Sequence, residues 1–257
     1  MTTITLAEPP RVLHALRLAD TTLVLGHRLS EWTGQAPMLE EELALANMGL
    51  DLIGQARALY THAAALDGQG RTEDDLAYFR DAPQYRNLLL AEQPNGDFAQ
   101  TMLRQFLYAA FALPFWNAMA ASADAVLAAI AAKAEKEMAY HQRHSAAWVV
   151  RLGDGTAESH ARLRAALDAL WPFTGEMFEV DEAERGLIAQ GIAIDPAALR
   201  PAWEASIARV FAEATLPLPA AGRWMQSGGH HGRHGEHLGH LLAVMQSLPR
   251  AYPDARW

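Results

Sequence analysis

The residues best suited to chemistry in this sequence surround His141, within Ala132-Lys-Ala-Glu-Lys-Glu-Met-Ala-Tyr-His-Gln-Arg-His144. A carboxylate-bridged di-iron centre in a helical bundle takes one Glu from each of two helices and a Glu-x-x-His pair from each of the other two. Residues i and i+3 share a helix face, so such a pair aims both ligands at one metal. Here His141 is present, but the residue three before it is Met138. Glu137 is displaced by one position, about 100° around a helix of 3.6 residues per turn. The ligand pair is broken.

The rest of the ligand inventory is equally thin. No Asp or Glu in the chain is followed three residues later by His, and the run from Phe98 to Ala121 holds no acidic residue at all. Leu52 and Gln55 stand where a second Glu-x-x-His pair would sit. Two iron ions need several anionic ligands to offset their charge, and the remnants Glu31, Asp51, Gln55, Met138 and His141 do not supply them. Each remnant also has an ordinary reading. Glu31 can be a solvated helix end, His141 a hydrogen-bonded core residue, and Asn47, Asp51 and Gln55 either an exposed stripe or a buried polar network. If Glu31, Asp51, Gln55 and His141 face one another inside the bundle, they are expected to bond to each other or to trapped water.

A second cluster is Gly228-Gly-His-His-Gly-Arg-His-Gly-Glu-His-Leu-Gly-His240. His234, His237 and His240 follow one another at i,i+3, a spacing that on a helix could chelate one divalent metal adventitiously. The glycines suggest a phosphate cradle, yet there is no Gly-x-x-x-x-Gly-Lys and no preceding strand. Glu176 and Glu179, also at i,i+3, read as a solvated helix face. The chain has no cysteine and no Gly-x-Ser-x-Gly elbow, so thiolate chemistry and that type of serine nucleophile are excluded.

These groups must be carried by helices. Ala and Leu dominate, 51% of residues are hydrophobic and 20% charged, a balance that favours an all-α globular protein. A net charge of −9 argues against nucleic-acid binding, which wants a basic face. The N-terminus has no signal-peptide pattern and no apolar run is long enough to span a bilayer, so a cytoplasmic protein is expected. Helices are predicted at Val12–Trp32, Leu39–Leu66, Thr72–Phe79, Asp97 to about Ser122 (kinked at Pro114) and Ala125–Leu152. Further helices are predicted at Glu158–Phe178 with a kink at Pro172, at Asp181–Gln190, from Asp195 to near Ala214, and at His234–Ser247. The long helices come first, so the expectation is one domain over 1–257, a four-helix bundle with additional C-terminal helices.

Several runs resemble the C-subunit family of the bacterial phenylacetyl-CoA epoxidase, a multicomponent oxygenase. They are Leu43-Ala-Leu-Ala-Asn-Met-Gly-Leu-Asp-Leu-Ile-Gly-Gln-Ala-Arg57, Asn87–Phe98, Lys133–His141, Gly191-Ile-Ala-Ile-Asp195, His234–Gln246 and the terminal Pro253–Trp257. The likeness covers nearly the whole chain. It implies a ferritin-like fold related to a catalytic A subunit that binds di-iron and epoxidises the aromatic ring, while this chain carries no cofactor and supports that subunit structurally. It also implies indirect partnership with a small B subunit and a flavin and iron–sulfur reductase. Without its partner the chain is expected to self-associate as a homodimer. The sequence departs from the family pattern in its extra histidines at His230, His231 and His240, so no metal role is inherited there. Two other readings stay open: a stand-alone ferritin-like metalloprotein with an atypical site built from His27, Glu31, His141 and the Asp51–Gln55 stripe, and a free-standing helical storage or binding protein.

Overall fold

The computed structural model describes residues 3–253 and 255; Met1, Thr2, Asp254, Arg256 and Trp257, and with them most of the Pro253–Trp257 run, lie outside the described residues. Eleven α-helices are described, α1 Pro10–Ser30, α2 Leu39–Asp67, α3 Glu73–Tyr78, α4 Leu89–Glu92, α5 Phe98–Met119, α6 Ala125–Gly153, α7 Ala157–Leu170, α8 Glu182–Ala189, α9 Arg200–Glu213, α10 Glu236–Met245 and α11 Ser247–Ala251, joined by short 3-10 turns. Among the described residues there is no β-strand and no helix long and apolar enough to cross a membrane. The fold is all-α and ferritin-like, as expected.

The four long helices are α1, α2, α5 and α6. α1 packs along α2, α5 along α6, and α2 meets α6 across the bundle. Their lengths follow from sequence punctuation. α1 begins at Pro10, two residues before the predicted start, because proline is tolerated in the first turn where its missing N–H is not needed. Gly68, with φ of +68°, closes α2 in the left-handed conformation. Asp97 and Asp124 cap α5 and α6 through their side chains. α5 holds one charged residue, Arg104, and is buried on nearly every side because α4, α6, α7 and α9 all pack on it.

The C-terminal part departs from expectation at two prolines and at the glycines. The helix predicted over Glu158–Phe178 stops at Leu170, and two 3-10 turns, Trp171–Phe173 and Gly175–Phe178, follow. Pro172 removes the N–H that would bond back to Asp168 and its ring crowds that carbonyl, so the chain turns instead of kinking. Pro196 likewise opens a 3-10 turn, Pro196–Leu199, before α9 begins at Arg200. The last predicted helix is shorter at its start, because Gly235 caps α10 and leaves His234 outside it. One continuous apolar core runs from Val12 in α1 to Met245 in α10.

Candidate functional site

The polar remnants expected inside the bundle are found along the seam between α2 and α6. The two helices run antiparallel, and four polar pairs bridge them in order. His144 Nε2 meets Glu41 Oε2 at 2.9 Å, His141 Nε2 meets Asp51 Oδ2 at 3.2 Å, Gln55 Nε2 donates to Glu137 Oε2 at 2.9 Å, and His62 Nε2 meets Asp124 Oδ2 at 3.0 Å. The stripe Asn47, Asp51, Gln55 winds from exposed through half-buried to buried. A four-residue step overshoots a full turn by about 40°, so such a stripe drifts around the helix. Both ordinary readings of it are therefore partly right.

His141 is inaccessible to solvent. Its Nδ1 lies 3.0 Å from Gln105 Nε2 on α5, the helix without carboxylates. A neutral imidazole with its proton on Nε2 satisfies both contacts, donating to Asp51 and accepting from Gln105. Glu137, off register for a ligand pair, turns instead toward Gln55 and toward Lys133 Nζ, 3.2 Å away. Met138 and Leu52 fill the interior between these groups and are fully buried. The amide oxygens of Gln55 and Gln105 are buried without a protein partner, which suits trapped water better than metal because a neutral amide oxygen brings no charge.

This donor set does not fit a di-iron centre. Two carboxylates and one imidazole, each already paired, cannot balance two ferrous or ferric ions, and Met138 and Leu52, at the positions of the missing ligands, offer no charge. Among the described residues no group of three or more His, Asp, Glu or Cys side chains is placed to hold a metal ion.

Two expectations need correction. Glu31 is not inside the bundle. It is the C-cap of α1, half exposed, where Arg28 Nη1 donates to it at 2.9 Å and Asn95 Nδ2 at 2.8 Å. Beside it Arg104 is fully buried and held by Gln93 and Asn95; burial and the nearby Arg28 pull its pKa down to about 9, against the favourable field of Glu31. Glu31 thus belongs to a clamp on the loop before α5, and His27 and Glu31 do not join His141 and Asp51. Burial lowers the His27 pKa.

The second correction concerns the histidine series. His234 precedes α10, and both of its ring nitrogens are spent, Nδ1 on Glu92 Oε2 at 2.8 Å and Nε2 on the Tyr85 carbonyl at 3.0 Å. Only His237 and His240 lie on the helix, so no three-histidine face forms. Two acceptors around one imidazole call for two N–H donors. Burial disfavours the charge, but the bonds to Glu92 and Tyr85 prevail and raise the His234 pKa.

The glycine-rich segment carries no phosphate motif; its N–H groups wrap a carboxylate of the chain itself. The N–H groups of Gly228 and Gly229 donate to Glu176 Oε1 at 2.8 and 2.7 Å, and Leu89 N–H donates to Oε2 at 2.8 Å. Glu176, read from sequence as solvated, is 1% exposed, and burial raises its pKa against these backbone bonds. Gly229 is required here, because a Cβ would stand 2.2 Å from the Asn87 carbonyl oxygen.

Sequence reasoning missed a further buried network. Asp20, Tyr60 and Arg80 are inaccessible or nearly so. Arg80 forks onto Asp20, Tyr60 donates to Asp20 Oδ1 at 2.5 Å, and Arg86 N–H donates to Oδ2 at 2.7 Å. The sequence signal was slight, an acidic residue between Leu18-Ala19 and Thr21-Thr22 in the middle of α1.

The family model described as phenylacetic acid catabolic protein matches residues 2–257. The chain is 49% identical over 244 residues, 95% of its length and 98% of the relative's, to the protein of Escherichia coli (strain K12) described as the C subunit of 1,2-phenylacetyl-CoA epoxidase.

Proposed function

The chain belongs to the phenylacetic acid catabolic protein family, and from that premise we propose that it serves as the structural, non-catalytic component of a multi-subunit 1,2-phenylacetyl-CoA epoxidase. It acts in phenylacetate catabolism, beside a related di-iron subunit that performs the ring epoxidation. The chain itself holds no iron; electrons reach the catalytic subunit from a separate reductase, and the assembly includes one further small subunit. On this reading residues 1–257 form one ferritin-like domain working in the cytoplasm.

The observation that carries the non-catalytic assignment is the filled interior at Met138 and Leu52, flanked by His141 and Gln55 already bonded to Asp51 and Glu137. A di-iron epoxidase needs several carboxylate and imidazole ligands free to bind metal, and the paired groups of this seam support a chain that does not supply them. Association is supported by the outer face of α2, where Leu39, Leu43 and Leu50 are 68%, 57% and 66% exposed. An apolar stripe on a long helix is suited to a broad helix–helix interface, above about 2,000 Å² in total for an obligate complex.

The test is to produce the catalytic subunit with and without this chain and to measure its solubility and its phenylacetyl-CoA epoxidation, with the reductase and small subunit supplied throughout. The expected result is loss of soluble, active enzyme without this chain. The paired change Leu43→Glu and Leu50→Glu is expected to weaken co-elution while leaving the isolated fold intact. Full activity of the catalytic subunit alone, with no binding to this chain, refutes the structural role.

A further inference from the structure

Between the second half of α6 and the facing side of α9 lies an open groove of about 510 Å³. Arg143 and Arg151 line it from α6, and Arg209 lines it from α9. Glu213 is its one acidic lining residue, which leaves the groove two positive charges in excess on a chain whose net charge is −9. Arg209 is partly neutralised, donating to Glu213 Oε1 at 2.9 Å. Arg143 and Arg151 have no carboxylate or hydrogen-bond partner among the described residues. Their guanidinium carbons instead lie 5.7 Å from the Tyr140 ring centroid and 5.2 Å from the Trp148 ring centroid. Stacking restricts each planar fork without using its N–H donors, and such forks match phosphate oxygens in pairs.

The floor between the arginines is apolar, formed by Ala146, Val150 and Val210. Gln142 closes one end, its amide tied to Ser206 Oγ at 3.1 Å. Arg143 and Arg151 are eight residues apart, about 12 Å along the helix axis. Two anchored guanidinium groups at that separation favour a ligand with phosphates at two points over one compact anion. An apolar floor between them favours an aromatic base over a second polar group.

We infer that the α6–α9 groove docks the phosphorylated nucleotide end of a coenzyme A thioester, with Arg143, Arg151 and Arg209 holding its phosphates and the adenine lying over the apolar floor. This rests on the epoxidase reading, which makes an acyl-CoA the substrate at hand. The groove concentrates that substrate on the structural subunit without taking part in the chemistry. Its attraction is electrostatic, so it weakens with salt.

The experiment is calorimetric titration of the purified chain, alone and at low salt, with coenzyme A, with dephospho-coenzyme A and with inorganic phosphate. Saturable one-to-one binding of coenzyme A is expected, weakened about tenfold or more by loss of the 3′-phosphate or by the double change Arg143→Ala and Arg151→Ala. Replacement of both arginines by Lys keeps the charge without the fork, and is expected to give intermediate affinity. Circular dichroism confirms that the variants are folded. No saturable binding at millimolar coenzyme A overturns the inference, as does equal affinity in the alanine variant or equally tight binding of inorganic phosphate. Charge reversal at Arg143 and Arg151 that abolishes co-elution with the catalytic subunit, in a chain that never bound coenzyme A, would make the groove a protein interface. Failure of the unaltered chain to co-elute at all would instead sink the epoxidase reading, and the titration is independent of that outcome.

Discussion

Gln105 of α5 and His141 of α6 meet at 3.0 Å in an interior closed to bulk solvent. Their pairing orders the imidazole, so that its other nitrogen faces Asp51 on α2. Three helices are linked through one ring.

Replacing His141 by Ala is expected to destabilise the fold by about 1–3 kcal/mol, the usual cost of orphaned buried polar groups plus a small cavity. Urea unfolding measures it. The Gln105→Leu change should be milder than His141→Ala, because it removes a partner that already has one unsatisfied oxygen. Equal stability of His141→Ala and the unaltered chain would show that the linkage has no energetic weight.

Elemental analysis of the chain purified without a histidine tag should find no stoichiometric iron. One or two iron atoms per chain, lost on replacing His141, would contradict the donor-set argument. Met138→Glu restores the missing i,i+3 spacing but places a carboxylate in a fully buried position. It is expected to cost several kcal/mol, on the order of 3–5, unless the acid stays protonated.

His234 makes the C-terminal segment sensitive to pH. Its folded pKa is raised above the unfolded value, so its contribution is fully present below the unfolded pKa and is lost as pH rises through the folded one. Stability and hydrogen-exchange protection of residues 228–245 should therefore fall between neutral and alkaline pH. The His234→Gln variant should be weaker at pH 6 and show a flatter dependence. A wild-type profile with no loss on the alkaline side would remove His234 from this role.

Asp20→Ala strands Arg80 in an interior it cannot leave. Breaking a buried pair by removing one partner costs about 3–5 kcal/mol, so this change is expected to exceed the His141→Ala and Gln105→Leu changes. Differential scanning calorimetry of the two sets of variants gives the comparison directly.

The long helices were legible in the sequence because apolar period runs through α1, α2, α5 and α6 and local punctuation bounds them, Pro10 opening α1, Gly68 closing α2, and Asp97 and Asp124 capping α5 and α6. The broken ligand pair at Met138 was legible for the same reason, since helical spacing alone decides which side chains share a face. Glu31 was misplaced because its role depends on where α1 ends, and two residues at a helix terminus move a side chain from the interior to the cap. Gln105 was passed over, and the pairing of Glu137 with Gln55 was not foreseen, because their partners lie on other helices, at separations that carry no periodicity. Glu176 was misread because Pro172 had already ended the helix on which a solvated face was assumed. The Asp20–Arg80 pair spans 60 residues, and nothing local announces it.

The bond between Glu92 and His234 joins residues 142 positions apart, and Glu176 waits for Gly228 and Gly229 in the same way. On a ribosome adding about 5–20 residues per second, Glu92 is made roughly 7–30 s before the imidazole that covers it. Through that interval the bundle helices can pair, but Glu92 has only the Asn87 amide as a side-chain donor, and Glu176, once made, has only the Leu89 N–H until the glycines follow 52 and 53 residues later. Closure is thus timed by translation. A transcript cut short before the glycines would yield a chain with four long helices and two interior acids each missing the donors of residues 228–235, a species that proteases can distinguish from the finished protein.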